Sequence, residues 1–125
     1  MQYEYFYGAQ AEQFSFYRIP KALFTEPNFR ELSTDAKVLY GILLDRMSLS
    51  LKNQWLDAQN KVYIIFTVEE IMDALNCANQ KATRLMVELE KQAGLIERKR
   101  QGLGRPNLIY VKNFAATIND KSCEK

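Results

Sequence analysis

From residue 33 onward the apolar positions keep regular periods. Ala36, Leu39, Tyr40, Leu43, Leu44 and Met47 recur at i, i+3, i+4, i+7, i+8 and i+11, which predicts a helix. Before it stands Leu32-Ser33-Thr34-Asp35, where Ser33 or Thr34 can accept from the orphan amides of the first turn. Val38 and Ile42 lie off the stripe, so this is either the central core helix or one with a second partner surface. Residues 48–60 have no period apart from Trp55 and Leu56 and read as a loop. Lys61 to Phe66, β-branched and aromatic, reads as a strand. Thr67-Val68-Glu69-Glu70 is a capping box opening a short helix with Val68, Ile71, Met72 and Leu75 inward. After the tight turn Asn76-Cys77-Ala78, Asn79 is placed to cap a third helix with Ala82, Leu85, Met86, Leu89 and Ala93 inward. Gly94 then ends it as a left-handed residue. Leu95 to Arg100 and Leu108 to Lys112, around the loop Gln101 to Asn107, predict a hairpin.

The opening has a different texture. Seven of the fifteen aromatics fall in the first 17 residues: Tyr3, Tyr5, Phe6, Tyr7, Phe14, Phe16 and Tyr17. Tyr3 to Tyr7 and Phe14 to Ile19 are β-prone, with a polar Gly8 to Gln13 between them, so an N-terminal hairpin is expected before Pro20 and Pro27 break the chain. These aromatics serve either as core laid across the helices or as anchors of an association. With the over-apolar first helix they point to a homodimer whose interface includes Tyr3, Tyr5, Tyr7, Phe14 and Phe16.

The order helix, strand, helix, short turn, helix, hairpin is that of a winged helix, an α+β fold. The expected organisation is an aromatic arm over residues 1–32, packing on the domain or on a partner protomer, and a winged helix-turn-helix over 33–114. A polar tail over 115–125 is expected to lead to a C-terminal domain absent from this chain.

Composition narrows the function. Among 125 residues there is no His and there are two Cys, so the usual neutral-pH acid/base is missing and a typical zinc site cannot be assembled. Cys77 and Cys123 follow no metal or disulfide spacing. The acids Asp35, Asp45, Glu69, Glu70 and Asp73 read as helix caps and surface. No enzyme, catalytic residue, metal or cofactor is expected. The N-terminus has neither a basic segment nor an apolar core of a leader, and no apolar run approaches the ~20 residues of a membrane helix. A cytoplasmic binding module without membrane contact is therefore expected.

Charge changes the picture most. The formal net charge is only +2, but it is unevenly spread. Residues 1–80 hold seven Lys+Arg against ten Asp+Glu, and residues 81–112 hold eight against three. In a winged helix that basic half contains the third helix and the wing, the two elements that meet DNA. The outward face of the third helix is expected to carry Asn79, Gln80, Lys81, Thr83, Arg84, Val87, Glu88 and Lys91. Asn and Gln can pair with an adenine edge, Arg with guanine, and Thr with a thymine methyl. In the wing, Arg98-Lys99-Arg100 and Arg105 flank glycines that let backbone approach a phosphate. Strand alternation sets Arg98 and Arg100 on one face and Lys99 on the other. The expected DNA-contacting set is Asn79, Gln80, Lys81, Thr83, Arg84, Arg98, Lys99, Arg100 and Arg105. Gly102-Leu103-Gly104 is a turn, since it lacks the third Gly and following helix of a nucleotide fingerprint.

Three segments carry a family likeness: Phe16-Tyr17-Arg18-Ile19-Pro20-Lys21-Ala22-Leu23-Phe24, the run Leu32 to Arg46, and Gly104-Arg105-Pro106-Asn107-Leu108-Ile109-Tyr110-Val111. With these, residues 14 to 114 resemble the N-terminal domain of the RepA_N plasmid replication initiators of Gram-positive bacteria. The resemblance implies a winged helix that binds repeated double-stranded origin sites, usually as a dimer. It also implies a further C-terminal domain that engages host replication proteins. Two other readings use the same residues: a winged-helix transcriptional repressor, and a protein-interaction module in which the arm recruits replication factors.

Overall fold

The computed structural model describes residues 2–9, 13–50 and 52–115. Its elements in chain order are α1 (Ala22–Thr25), a 3₁₀ turn (Pro27–Phe29), α2 (Thr34–Met47), α3 (Val68–Leu75), α4 (Asn79–Val87), one π turn (Glu88–Gln92), β1 (Ile96–Lys99) and β2 (Leu108–Val111). α3 and α4 meet through a three-residue turn, α4 crosses α2, and the β1–β2 hairpin follows the π turn directly. This is a winged helix.

The amphipathic stripes explain the packing. Leu39 and Leu43 of α2, Ile71 of α3, and Leu85 and Leu89 of the third helix are fully buried in one cluster with Leu23, Ile64 and Ile109. Burying a Leu or Ile contributes about 1.5–3 kcal/mol, so these eight side chains dominate cohesion. Ser33 caps α2 by accepting from Ala36 N at 3.1 Å. At α3 the capping box is complete: Thr67 Oγ1 accepts from Glu70 N at 3.1 Å, and Glu70 Oε1 accepts from Thr67 N at 2.9 Å. Asn76, left-handed at φ 53°, ends α3 and redirects the chain into α4. Cys77, in that turn, is a half-buried free thiol.

The second apolar face of α2 meets the root of the arm. At Gly41 a Cβ would lie 2.8 Å from Ile19 Cγ1 and 3.0 Å from the Arg18 carbonyl oxygen, so only glycine lets residues 18–19 lie so close. Ile42 is buried on the same side, and Lys37 extends its ammonium over the Phe24 ring at 4.6 Å. Tyr40, buried on the opposite flank, donates to the Lys112 carbonyl at 2.7 Å. Burial pushes its hydroxyl up to about 12, so it stays a neutral donor.

Four expected elements differ. Among the described residues no strand forms in Tyr3 to Tyr7 or in Phe14 to Ile19, so the expected N-terminal hairpin is not seen. The reason is physical: their aromatics are 52–83% exposed, so little burial offsets the cost of ordering a two-stranded hairpin. Lys61 to Phe66 is reduced to single bridges, Leu56 with Val62 and Ile64 with Ile109. Residues 57–61, at the end of the expected 48–60 loop, form an ordered tight turn. Asp57 Oδ1 accepts from the amides of Gln59 and Lys61, both at 2.8 Å, and Asp57 Oδ2 accepts from Tyr110 Oη at 3.0 Å. The Lys61 amide is the main cause that holds Asp57 below the usual carboxylate range. Finally, the third helix leaves α geometry after Val87 and runs as a π turn to Gln92 before Gly94 (φ 67°) ends it.

Candidate nucleic-acid interface

α4 is placed by its buried face. With Ala82, Leu85 and Met86 inward, Asn79, Gln80, Thr83, Arg84, Val87 and Lys91 share the exposed side. Asn79 is not the cap: Ala78 occupies that position and offers no side-chain bond, while Asn79 is the first helical residue. Its Oδ1 instead accepts from Thr83 Oγ1 at 3.5 Å, one turn on. The extended Ala78 (φ −84°, ψ 168°) already delivers the chain into the helix, which leaves the Asn79 amide on the outer surface. Lys81 is half-buried and pairs with Asp35 Oδ2 at 2.7 Å; the two side chains are 42% and 51% exposed, so the pair is worth at most about 1 kcal/mol. Arg84 is exposed at mid-helix.

Glu88 is a correction. Expected on the outer face, it is 8% exposed and faces α2, where its carboxylate accepts from the Ser33 amide and from Ser33 Oγ. It satisfies an amide at the start of α2 and joins the two helices. The signal was available, because Glu88 lies three residues after Leu85 and one before Leu89, on the edge of the buried stripe.

In the wing, β1 pairs with β2 in antiparallel register: Ile96 with Val111, Glu97 with Tyr110, Arg98 with Ile109 and Lys99 with Leu108. Ile64 bonds both ways to Ile109 (2.8 and 2.9 Å), so β2 is the middle strand and β1 the free edge. Lys99, Arg100 and Arg105 are all exposed around the loop, whose bends occur at Gly102 (φ 121°) and Gly104 (φ 79°). Gln101 Nε2 bonds the Pro106 carbonyl at 2.8 Å and closes the loop base. Leu103 at the tip is fully exposed.

Arg98 does not share the solvent-facing side. Its Nε and Nη2 both bond Glu90 Oε1, at 2.9 and 2.7 Å, and its backbone amide reaches Glu90 Oε2 at 3.2 Å. Burial pushes the Glu90 carboxyl up, but the hydrogen bonds and charge of Arg98 outweigh it and leave the group below the ordinary value of 4.5. Alternation does separate Arg98 from Lys99, but Arg100 lies beyond β1 and is exposed as Lys99 is. Nor does alternation supply the carboxylate waiting on the Arg98 side.

The structure therefore brings Asn79, Gln80, Thr83 and Arg84 together on one helix face, with Lys81 at its edge, and gathers Lys99, Arg100 and Arg105 on the wing. Among the described residues no group of three or more His, Cys, Asp or Glu side chains converges on a metal site, and no helix is long and apolar enough to cross a membrane.

Several known proteins are similar. A solved structure described as "N-Terminal domain of DNA binding protein" shares 35% identity at a TM-score of 0.74, covering 99% of this chain and 98% of that one. One described as "Structure of Rep-DNA complex" shares 34% identity at 0.74, covering 95% and 97%. A third, "Structure of MDR initiator", shares 38% identity at 0.69, covering 95% and 98%. A 41 kDa protein of Lactobacillus helveticus is 32% identical over 103 residues, 82% of this chain and 28% of that relative's length. The family model for the replication initiator protein A (RepA) N-terminus matches residues 15–124, and with the fold in agreement the chain belongs to that family, RepA_N.

Proposed function

We propose that this chain is the DNA-reading domain of a plasmid replication initiator, which binds repeated double-stranded origin sites as a homodimer. α4 enters the major groove, where Asn79, Gln80, Thr83 and Arg84 read base edges. Lys99, Arg100 and Arg105 of the wing neutralise phosphates beside it and supply the salt-dependent part of the affinity. The observation that carries this reading is the continuous exposed stripe of α4 next to an exposed basic wing, with three wing cations and no acid in the loop between β1 and β2. The solved Rep–DNA complex of a relative that this chain matches over 95% of its length supports it. Binding, not catalysis, is the role of this domain. A further domain that recruits host replication proteins belongs to the same proposal, as does a cytoplasmic setting.

The homodimer is supported by the arm, whose exposed Tyr3, Tyr5, Tyr7, Phe14 and Phe16 are suited to a partner protomer. Phe6 and Phe14 already meet edge-to-face at 5.9 Å, and Phe14 and Phe16 at 6.3 Å, which gathers the rings into one patch. Membership of the initiator family favours replication over a repressor role.

The test is selection of bound duplexes from a random 30-bp pool, followed by sequencing. Recovery of one consensus, with repeats spaced near a helical turn, is the expected result. Recovery of unenriched sequence contradicts base readout by this domain.

A further inference from the structure

The third helix loses its α period where two carboxylates leave it in opposite directions. Residues two apart on a helix point about 200° apart. Glu88 thus reaches Ser33 at the start of α2, while Glu90 reaches Arg98 in β1. The π turn spans both, with Ala93 N bonding Glu88 O and Leu95 N bonding Leu89 O. Such turns are rare and concentrate at functional sites.

The bond to Arg98 has a second feature. Ile109 exchanges its backbone bonds with Ile64, so the Arg98 amide, opposite Ile109 on the edge strand, points away from the ladder. Glu90 Oε2 satisfies that amide, while Oε1 receives both guanidinium donors. One carboxylate therefore holds both the backbone and the side chain of β1 against the end of the helix. The side chains are 24% and 16% exposed, more sheltered than the surface pairs Lys81–Asp35 and Lys112–Glu97. β2 is held on its other side by Ile64 and through Tyr110 on Asp57, whereas Glu90 is the carboxylate that holds the β1 edge, and the loop beyond Lys99 is exposed throughout.

We propose that Glu90 and Arg98 are a positioning pair that fixes the angle between α4 and the wing, so that Arg98 acts on DNA through this pin and not as a phosphate ligand. The consequence for DNA rests on the function proposed above; the pin itself does not. It sets the distance between the base-reading side chains and the phosphate-binding cations, and so selects which groove geometry both can engage at once.

The sign of one substitution separates this from ordinary electrostatics. Removing an acid from a DNA-binding surface strengthens binding if the acid merely repels phosphates. If Glu90 positions the wing, Glu90→Met weakens it. With a duplex recovered from the random pool, Glu90→Met and Arg98→Met are both expected to bind about tenfold more weakly near 0.15 M salt. Their salt slopes should shrink by about 2, since each phosphate contact contributes about 0.9. Glu90→Gln keeps the shape and should lose less. The exchanged pair Glu90→Arg/Arg98→Glu should recover most of the loss. Glu90→Met binding as tightly as the unmodified chain, with an unchanged slope, overturns the proposal. So does an exchanged pair as weak as Arg98→Met alone beside a normal Glu90→Met, because Arg98 is then a phosphate ligand.

Amide hydrogen exchange on the free protein reads the pin without DNA. Glu90→Met should speed exchange of residues 96–99 and 108–111 at least tenfold while α2 is unchanged; equal exchange overturns the pin. If the unmodified chain captures no duplex at all, the DNA-binding reading falls, and the exchange data alone decide whether Glu90 holds the wing.

Discussion

The arm and the wing are both β-prone in sequence, yet among the described residues only the wing forms a ladder. Ile96 and Ile109 of the wing are buried, and Ile64 bonds β2 on its inner side, so the hairpin grows from a core that already exists. The arm is rooted in the core through Leu23, Phe29 and Leu32 and through Ile19 against Gly41, but the aromatics from Tyr3 to Tyr17 are exposed. Its rings touch one another and remain exposed. The two also differ in chemistry. The wing ends in exposed cations around two glycines, the chemistry proposed above for phosphates, whereas residues 3–17 carry seven exposed aromatics, the chemistry proposed above for a partner protomer. Strand propensity alone does not make a sheet; a buried partner does.

This contrast can be broken most forcefully at the basic surface. Reversing Arg84→Glu with Arg100→Glu should weaken DNA binding at least ~100-fold, through lost base and phosphate contacts, while the circular dichroism spectrum stays that of the parent. Loss of the folded spectrum instead would assign these exposed residues to the core. On the arm, the proposed homodimer predicts that the parent chain sediments as a dimer at equilibrium and that Tyr5→Ser with Phe16→Ser shifts it to monomer. The double substitution should change the unfolding free energy of the protomer by less than about 0.5 kcal/mol, as expected of exposed positions. An unchanged dimer would move the interface elsewhere.

The junction between arm and core gives an intermediate effect. Gly41→Ala gains about 1 kcal/mol of helix propensity but crowds a backbone oxygen at 3.0 Å and Ile19 at 2.8 Å. Overpacking of about 1–3 kcal/mol should win, giving a net loss near 1 kcal/mol in urea unfolding together with faster exchange at residues 18–19. A stabilised variant would mean that the arm root yields freely. Away from both regions, Thr67→Ala should cost about 1 kcal/mol through loss of the α3 cap, with DNA binding at saturating stability unaffected.

The smallest effect is one of pH. Glu90 is held below 4.5 by Arg98, so its contribution is fully present above that value and is lost as pH falls below it and the carboxylate protonates. Wing amides should therefore exchange relatively faster below pH 4 than α2 amides, after correction for intrinsic rates, and Glu90→Gln should abolish that difference. A wing whose protection follows α2 at every pH would contradict the pairing.

The helices of this fold were legible because their period and their punctuation agree. The stripe from Ala36 to Met47, the box Thr67 to Glu70 and Gly94 each have a single physical solution. The exposed positions of α4 were legible for the same reason, being what remains once Ala82, Leu85 and Met86 are buried. Tertiary partners were not. Asp57 organises a turn and receives Tyr110 from 53 residues away, and nothing in residues 48–60 announces that bond. Glu88 and Glu90 look like solvated helix charges until the π turn and the neighbours Ser33 and Arg98 are known. Asn79 showed the opposite error: a strong cap former need not cap when the preceding residue already has the extended conformation.

The central claim is that α4 and the wing together read a DNA sequence. Its most direct test is fluorescence-anisotropy titration of this chain on a duplex recovered from the random pool and on its scrambled counterpart, over a series of salt concentrations. The account predicts at least ~10³-fold preference for the recovered duplex and a steep loss of affinity with salt. Equal, weak binding to both would contradict it and leave the aromatic arm as the functional surface.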